Sequence, residues 1–416
     1  MSVTENNLAI NLNFDFFHLD FLCKIEQPYL DYNEKIKIKN QEISLETLFI
    51  KAMVENLNYH LLNEKSGFIK NLFLSKNFLA EKILDNNNNN SGNRNGISTI
   101  PFILANFFKR HKLLSIDENK VFLHLTSSGT TGEKSQVFFD EWSISIAQKM
   151  VDRIFKYYNF ISEEKTNYLL YTYEPEGAAN IGTAYTDNFL CKYAPIENVF
   201  YALKYVGTNE ENKSSKHKFD VFGTIRTLKE YEQAGLPVRI FGFPSFLYFT
   251  LKRMQELKYP ALKLNKNSMT FLGGGWKGHQ DQAISKDELY ALIEKMLGIP
   301  NERLRDGFGS AEHCIPYVEC PKHQLHVPIW SRVIIRDIKT LKPLPYGETG
   351  FLQLISPYIT SMPAMSVLMS DLASLHAGES CCCGLKTPYF IHRGRAQVSK
   401  SMSCAIAASE LLKAEV

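Results

Sequence analysis

The sequence lacks a long apolar run, a secretion signal and a cluster of basic residues. Charged residues interrupt every apolar stretch before it reaches the roughly 18 residues of a transmembrane helix, so no membrane span is expected. The polar stretch Met1–Phe17 does not show the basic and then apolar pattern of a signal peptide, which favours a cytoplasmic location. The 47 basic and 44 acidic residues leave a net charge of +3, which is not the signature of a nucleic-acid-binding protein.

Cysteine is present but unevenly distributed. Only Cys23 and Cys191 precede residue 313, and the other six of the eight cysteines follow it. In a reducing compartment, such clustering favours metal binding or cysteine chemistry over a disulfide framework. The remaining composition, 44% hydrophobic and 22% charged, is typical of one large or two medium domains.

The first 85 residues differ in pattern from the rest. Apolar residues at helical spacing, as in residues 45–62, predict a mostly helical N-terminal part. The asparagine run at 86–90 and the polar residues up to Gly96 are of low complexity and predict a surface loop. Because surface loops tolerate added length, this segment is interpreted as an insertion within a domain.

Strand and helix signals then alternate. This order predicts an α/β fold with a largely parallel sheet. From Val327 onward short β runs dominate, at residues 332–336 and 350–355, which indicates a smaller β-rich portion. The alternating part has predicted strands at 121–125, 168–173, 238–242 and 269–272, and predicted helices at 142–159, 245–257 and 286–297.

Hydroxyl residues and glycines are concentrated directly after the predicted strand 121–125. Glycines permit tight turns, and hydroxyls with free backbone N–H groups can surround a phosphate. Glu133 separates Gly132 from Lys134, so the segment is not a Walker loop. A plain connector is the alternative interpretation. The candidate phosphate-binding residues are Thr126, Ser127, Ser128, Gly129, Thr130, Thr131, Gly132 and Lys134.

The loop resembles the phosphate-binding motif of the adenylate-forming superfamily, which includes acyl-CoA synthetases, nonribosomal adenylation domains and firefly luciferases. Later segments resemble the other motifs of that superfamily and follow in the required order: Gly273-Gly274-Gly275-Trp276-Lys277, Asp306–Glu312, Asp371 and Gly394-Arg395. The resemblance implies binding of ATP. It places adenine at the glycine turn and at Asp306, Phe308 and Gly309, Mg²⁺ at Glu312, ribose at Asp371, and a hinge at Arg395.

Further segments are similar to one branch, the acyl-protein synthetases, with phenylacetate-CoA ligases and coenzyme F390 synthetases as near relatives. These segments are 271–277, 320–321 with 326–328, 347–350 and 381–384. The resemblance covers roughly residues 100–404. It implies a helical segment at 1–100 packed on the core, an adenylate-forming core at 101–395 that is β-rich from about 314, and a flexible arm at 396–416. The large C-terminal lid domain of the superfamily is expected to be missing.

The family's arm carries a cysteine nine residues after the hinge arginine, and Cys404 stands at that distance from Arg395. The resemblance implies that a fatty acid is activated as acyl-AMP, with Lys134 and Cys404 as catalytic residues. The Cys404 thiolate would accept the acyl group and pass it to a reductase partner in a fatty acid reductase complex. The tail runs twelve residues beyond Cys404, longer than the family's, and a buried, inert cysteine is the alternative interpretation.

Two other functions stay open from the sequence. The first is an acyl- or aryl-CoA ligase that uses free coenzyme A as the acceptor. The second is an inactive nucleotide-binding scaffold in a multi-subunit complex, which intact Lys134, Glu312 and Asp371 disfavour.

A zinc site is predicted from two pairs of residues, Cys320 with His326 and Cys381 with Cys383. Pairs of this kind on short turns can close a tetrahedral site with three cysteines and one histidine, whose role would be structural. His323 is an alternative to His326, Cys382 is an alternative to either neighbour, and unpaired surface cysteines are the simpler interpretation. Aromatic residues at 242–249 and 173–185 are expected to flank the acyl substrate, although they are also typical of an ordinary core.

Overall fold

A computed structural model describes residues 15–80, 83, 95–126, 136–175, 189–208, 215–276 and 278–395. The longer helices are α1 (Phe17–Lys24), α2 (Leu45–Asn63), α3 (Phe68–Ser75), α4 (Glu141–Tyr157), α5 (Val221–Ala234), α6 (Pro244–Glu256) and α7 (Lys286–Leu297). The strands up to residue 242 are β1 (Lys35–Ile38), β2 (Gln41–Ser44), β3 (Ile103–Leu104), β4 (Leu123–Thr126), β5 (Gln136–Phe139), β6 (Thr166–Tyr173), β7 (Ile196–Thr208), β8 (Ser215–Phe219) and β9 (Val238–Gly242). The later strands are β10 (Met269–Gly273), β11 (Leu304–Phe308), β12 (Tyr317–Val318), β13 (Leu325–His326), β14 (Arg332–Arg336), β15 (Thr349–Ile355), β16 (Ser366–His376) and β17 (Tyr389–Arg395).

A seven-stranded sheet in the order β12-β11-β10-β9-β6-β7-β8 forms one layer. Its five inner strands, β11 to β7 in that order, run parallel, while the two edge strands pair antiparallel. Helices α5, α6 and α7 bury their apolar faces on it in a core of their own, which includes Leu228, Leu251 and Ile293. The largely parallel sheet predicted from the alternating pattern is therefore confirmed.

The second large sheet is antiparallel, in the order β13-β17-β16-β15-β14, with β3 added parallel to β16. It corresponds to the β-rich portion that the sequence indicates after Val327. Two short antiparallel pairs, β1-β2 and β4-β5, complete the described sheets.

Local sequence explains several element boundaries. Helix α7 begins with a capping box, in which Ser285 and Glu288 satisfy each other's backbone N–H groups, and ends at Gly298 with φ +68°. Gly242 closes β9 with φ +109°, and a Cβ there would lie 2.5 Å from the carbonyl oxygen of Tyr171 on the neighbouring strand. Only glycine therefore lets the chain turn from β9 into α6 against β6.

The N-terminal part departs from the mostly helical prediction at residues 35–44, where β1 and β2 form a hairpin. Lys39 and Asn40, with φ of 45° and 67°, form its turn. Two consecutive left-handed residues match the twist of paired strands, which favours this turn.

The N-terminal helices share one continuous core with the antiparallel sheet. Arg332 on β14 donates to Glu46 of α2 at 2.6 Å, and its guanidinium lies 3.7 Å from the ring centroid of Tyr32. His60 of α2 bonds the carbonyl oxygen of Ile359 at 3.0 Å. Polar bonds and buried apolar surface together therefore attach this segment to the sheet that carries part of the candidate site.

Candidate nucleotide site and metal centre

Two of the sequence motifs meet at the carboxyl edge of the seven-stranded sheet. Strand β10 ends in the glycine turn and β11 ends at Phe308, with Gly273 paired to Gly307 across the two parallel strands. Gly274 and Gly275 have φ of +74° and +68°, so the turn uses left-handed backbone that favours glycine. Gly309 directly follows the carboxyl end of β11. Open α/β sheets bind their ligands outside the carboxyl ends of the strands, so this edge is the expected place for a ligand.

A third motif residue, Asp371, is placed beside the second by the antiparallel sheet. Asp371 is only 6% exposed, and its Oδ1 lies 2.9 Å from His392 Nε2. The His392 ring is in turn 5.3 Å from the ring of Phe308. Strands β11, β16 and β17 thus bring an aromatic ring, an imidazole and a buried carboxylate into one row.

Arg395 lies opposite Asp371 in the pairing of β16 and β17. Its Nε is 3.8 Å from Asp371 Oδ1, but the side chain is 76% exposed. Arg395 is therefore close enough to interact with Asp371 while remaining open to a ligand. It is also the last described residue before the C-terminal segment.

Glu312 follows β11 in a turn and is 6% exposed. Ser310 Oγ donates to Glu312 Oε2 at 2.5 Å, which fixes one carboxylate oxygen and leaves the other available to a cation. Within the described residues Glu312 has no salt-bridge partner, and oxygen donors of this type suit Mg²⁺.

Asp306 lies behind this row, where it packs on a buried charge cluster that the sequence did not indicate. Its backbone N–H donates to Glu319 Oε2 at 2.8 Å, and the same oxygen accepts from the Tyr290 hydroxyl at 2.7 Å. Lys286 also donates to Glu319. Burial and the negative charge of Glu319 together raise the pKa of Asp306 to about 7, against the opposing effect of Lys286. The Asp306 carboxyl accepts from the N–H of Gly307 at 2.9 Å, so it helps to hold the backbone of the motif.

Several predicted residues lie outside the described part of the chain. Thr126 ends β4, which is paired with β5 on the other side of the candidate phosphate loop. The structure does not describe the predicted loop residues between these strands, nor the glycine-turn lysine and the proposed acyl acceptor. These residues are Ser127, Ser128, Gly129, Thr130, Thr131, Gly132, Lys134, Lys277 and Cys404.

The four predicted metal ligands come together. The ligand atoms of Cys320, His326, Cys381 and Cys383 all lie within 4.8 Å of one another. Cys320 Sγ is 3.5 Å from Cys381 Sγ, and Cys383 Sγ is 3.2 Å from His326 Nε2. Tetrahedral zinc with bonds of about 2.3 Å to sulfur separates its sulfur ligands by about 3.8 Å, so the spacing fits zinc.

The orientation of His326 also fits a metal. Its Nδ1 is 2.7 Å from the carbonyl oxygen of Thr387 and must donate to it, which leaves the Nε2 lone pair facing the cysteines. Burial lowers the pKa of His326, which keeps the imidazole neutral. The alternatives lie elsewhere: His323 bonds Asn301 and Glu319, and Cys382 is exposed.

Aromatic rings line the carboxyl edge next to the glycine turn. Tyr173 at the end of β6 is 5.7 Å from Phe243, and Trp276 is 5.5 Å from Tyr248 of α6. The ring of His279, which follows the glycine turn, lies 4.9 Å from the ring of Phe249, which is also on α6. The rings form an apolar wall. Of the predicted aromatic segment 173–185, residues 176–185 lie outside the described part of the chain. Among the described helices, none combines the length and apolar character needed to cross a bilayer.

Comparisons with known proteins found similar sequences and similar folds. A family model described as acyl-protein synthetase, LuxE, matches residues 60–413. A long-chain-fatty-acid–luciferin-component ligase from Vibrio harveyi is 27% identical over 275 residues, which cover 65% of this chain and 68% of that protein. A protein of the same name from Aliivibrio fischeri is 26% identical over 281 residues, covering 67% of this chain and 70% of its own.

Solved structures show the same fold at low identity. A 2-hydroxyisobutyryl-CoA ligase, in an open conformation with 2-HIB-AMP and CoA, superposes with a TM-score of 0.58 at 13% identity, covering 92% of this chain and 86% of its own. In its postadenylation state the TM-score is 0.56, again at 13% identity, with 83% and 67% covered. The predicted fold class, the α/β fold of adenylate-forming ligases, is therefore confirmed.

Proposed function

Because the chain belongs to the LuxE family of acyl-protein synthetases, we propose that it activates a long-chain fatty acid with ATP and transfers the acyl group to its own Cys404. The two similar ligases from Vibrio harveyi and Aliivibrio fischeri are named for a long-chain fatty acid. The observation that carries the proposal is the row of Phe308, His392 and Asp371 at the carboxyl edge of the sheet. It offers a ring for a base and a carboxylate for ribose hydroxyls within one short span.

The nucleotide roles follow from this row. Adenine stacks on Phe308, the ribose hydroxyls donate to Asp371, and Arg395 is near enough to bind the ribose or α-phosphate oxygens. Glu312 would hold the Mg²⁺ ion that neutralises the triphosphate, as the free oxygen of its carboxylate allows. The loop at residues 126–134 would surround the phosphates. The positive charge of Lys134 would stabilise the negative charge that develops on the phosphate oxygens in the transition state.

The reaction has two balanced steps. First, a carboxylate oxygen of the fatty acid attacks the α-phosphorus of ATP, the bond to pyrophosphate breaks, and acyl-AMP forms. Second, the Cys404 thiolate attacks the acyl carbonyl carbon, and AMP leaves with the bonding electron pair, giving a thioester. Positioning and charge stabilisation account for most of the rate in the first step, because the protein forms no covalent bond there.

The acyl chain is proposed to lie along the aromatic wall of Tyr173, Phe243, Tyr248 and Trp276. This wall borders the glycine turn, so a carboxylate at the α-phosphate can extend its hydrocarbon over the rings. Such apolar lining with few polar groups is typical of sites that bind hydrophobic ligands.

The cluster of Cys320, His326, Cys381 and Cys383 is proposed to hold a structural zinc ion. Cys320 lies two residues after β12, which pairs with β11. His326 lies on β13, which pairs with β17. Cys381 and Cys383 lie between β16 and β17. When bound, zinc supplies a cross-link among the strands that carry Phe308, Asp371 and Arg395, and it leaves no open ligand position.

A reductase that takes the acyl group from Cys404 is the proposed partner. The proposal rests on the family and on the luciferin-component naming of the relatives. Co-expression with a candidate acyl-CoA-type reductase, followed by gel filtration, should give a joint peak. Separate elution at micromolar concentration would contradict the partner proposal and leave the ligase proposal intact.

The ligase proposal is tested with radiolabelled fatty acid and ATP. Label should remain on the protein after denaturation and be released by neutral hydroxylamine, which cleaves thioesters. Cys404→Ser should lose the label, whereas Cys382→Ser, which changes an exposed cysteine, should keep it. Label that appears only on added coenzyme A would instead identify an acyl-CoA ligase.

A further inference from the structure

A cationic pocket lies at the amino-terminal edge of the seven-stranded sheet, across the sheet from the nucleotide site. Its cavity of about 120 Å³ is lined in part by Ser162, Arg239, Asn267 and Arg303. That volume is well above the roughly 10–15 Å³ that a single water needs. Strands of five residues separate the two edges by about 17 Å, so this pocket is distinct from the candidate nucleotide site.

Arg239 is the most buried charge of the pocket. It lies near the start of β9, is 3% exposed, and donates through Nη2 to the carbonyl oxygen of Phe160 at 2.6 Å. Its Nη1 has no hydrogen-bond partner in the described ranges. Burial lowers the pKa of Arg239, and the positive charge of Arg303 lowers it further. A buried guanidinium with an unsatisfied N–H group destabilises the fold unless an acceptor is supplied.

Arg303 is held in place by backbone carbonyls rather than by an acid. Its Nε donates to Ser268 at 3.2 Å and its Nη2 to Asn267 at 2.5 Å. The nearby carboxylate of Glu164 accepts from the Asn267 side chain at 2.9 Å. Across the described segments, neither arginine forms an ion pair with a carboxylate. Two guanidinium charges therefore share one pocket, and the nearby carboxylates of Glu302 and Glu164 are not paired with either of them.

We propose that this pocket binds a small tetrahedral oxyanion of the phosphate type. Guanidinium groups bind such oxygens through paired N–H donors, and the anion would neutralise the repulsion between Arg239 and Arg303. Ser162 adds a further donor, because its Oγ accepts from the N–H of Glu164 at 3.1 Å and its own hydrogen is left to donate. The small cavity admits the oxyanion itself, either free or as the end group of a phosphate ester.

The test is calorimetric titration with inorganic phosphate and, separately, with glycerol 3-phosphate, both in a saturating acyl-sulfamoyl adenosine, a mimic of acyl-AMP without a phosphate group, so that the nucleotide site is filled. The ligand that binds more tightly identifies a free anion or an ester as the source. Arg303→Gln should weaken binding about tenfold or more, the loss expected for a charge-assisted hydrogen bond, and Arg303→Lys should lie between this variant and wild type.

Glu164→Gln is the matched variant of opposite sign. Removing this negative charge near the pocket should tighten phosphate binding, because it removes a repulsion. An unchanged affinity for phosphate would contradict the electrostatic role given to the two arginines. Arg303 is substituted rather than Arg239 because it is less buried, and unchanged melting temperatures would show that the variants are folded. Absence of binding to the wild type, or equal binding by wild type and Arg303→Gln, would overturn the proposal.

Discussion

His392 offers the sharpest prediction about the nucleotide site. Replacing it with alanine removes the 2.9 Å bond to Asp371 and the ring beside Phe308. A hydrogen bond to a charged group contributes about 1.5–3 kcal/mol, and the partial exposure of His392 at 34% places the loss near the lower figure. Since about 1.4 kcal/mol corresponds to a factor of ten, we expect the KM for ATP to rise about tenfold with kcat little changed.

The assay is ATP–pyrophosphate exchange driven by a long-chain fatty acid, measured across ATP concentrations. His392→Gln keeps an N–H donor near the Nε2 position and should recover part of the loss, because it restores the bond to Asp371 but not the ring. His111→Ala, which changes an exposed histidine, serves as the control. An unchanged KM for ATP in His392→Ala, at an unchanged melting temperature, would refute the role given to His392.

Three further predictions concern charge, metal and pH. Glu312→Gln should lower the exchange rate by about a hundredfold and raise the Mg²⁺ concentration needed, as expected when a charged group at the reacting phosphates is lost, whereas Glu348→Gln should not. Cys383→Ser should lose about one bound zinc per chain by metal analysis and lower the melting temperature, while Cys382→Ser should retain both. Burial lowers the pKa of His60 to about 3 from 6.5, so its contribution to stability is present above pH 6.5 and declines as the pH falls toward 3. His60→Gln should therefore reduce the acid slope of the unfolding free energy by up to about 1.4 kcal/mol per pH unit in denaturant titrations.

Much of the fold could be predicted from the sequence because local signals were strong. Helix α7 has the predicted bounds of Lys286–Leu297, since Ser285 with Glu288 and then Gly298 mark its two ends. Strands β9 and β14 also have their predicted bounds, because they are short β-branched and aromatic runs between clear turn signals. The hairpin of β1 and β2 was missed, because strands of four residues carry little periodicity and its turn contains no glycine.

Only some residues of the candidate site could be predicted from the sequence. Its motif residues could be proposed from their order along the chain, because each motif has a local composition. His392 and Glu319 could not, because their roles arise from strand pairing and packing that place them beside Asp371 and Asp306. For the predicted choice of His326 over His323, the structure adds a physical reason: the pairing of β13 with β17 turns the His326 ring toward the cysteines.

The central claim is that this chain forms an acyl-adenylate from a long-chain fatty acid. ATP–pyrophosphate exchange measured with a series of fatty acids tests it most directly. We predict exchange that requires a long-chain fatty acid and Mg²⁺, that survives Cys404→Ser because the thiol acts after adenylation, and that is lost in Asp371→Ala. Absence of exchange with every fatty acid tested, by folded and zinc-loaded protein, would contradict the account.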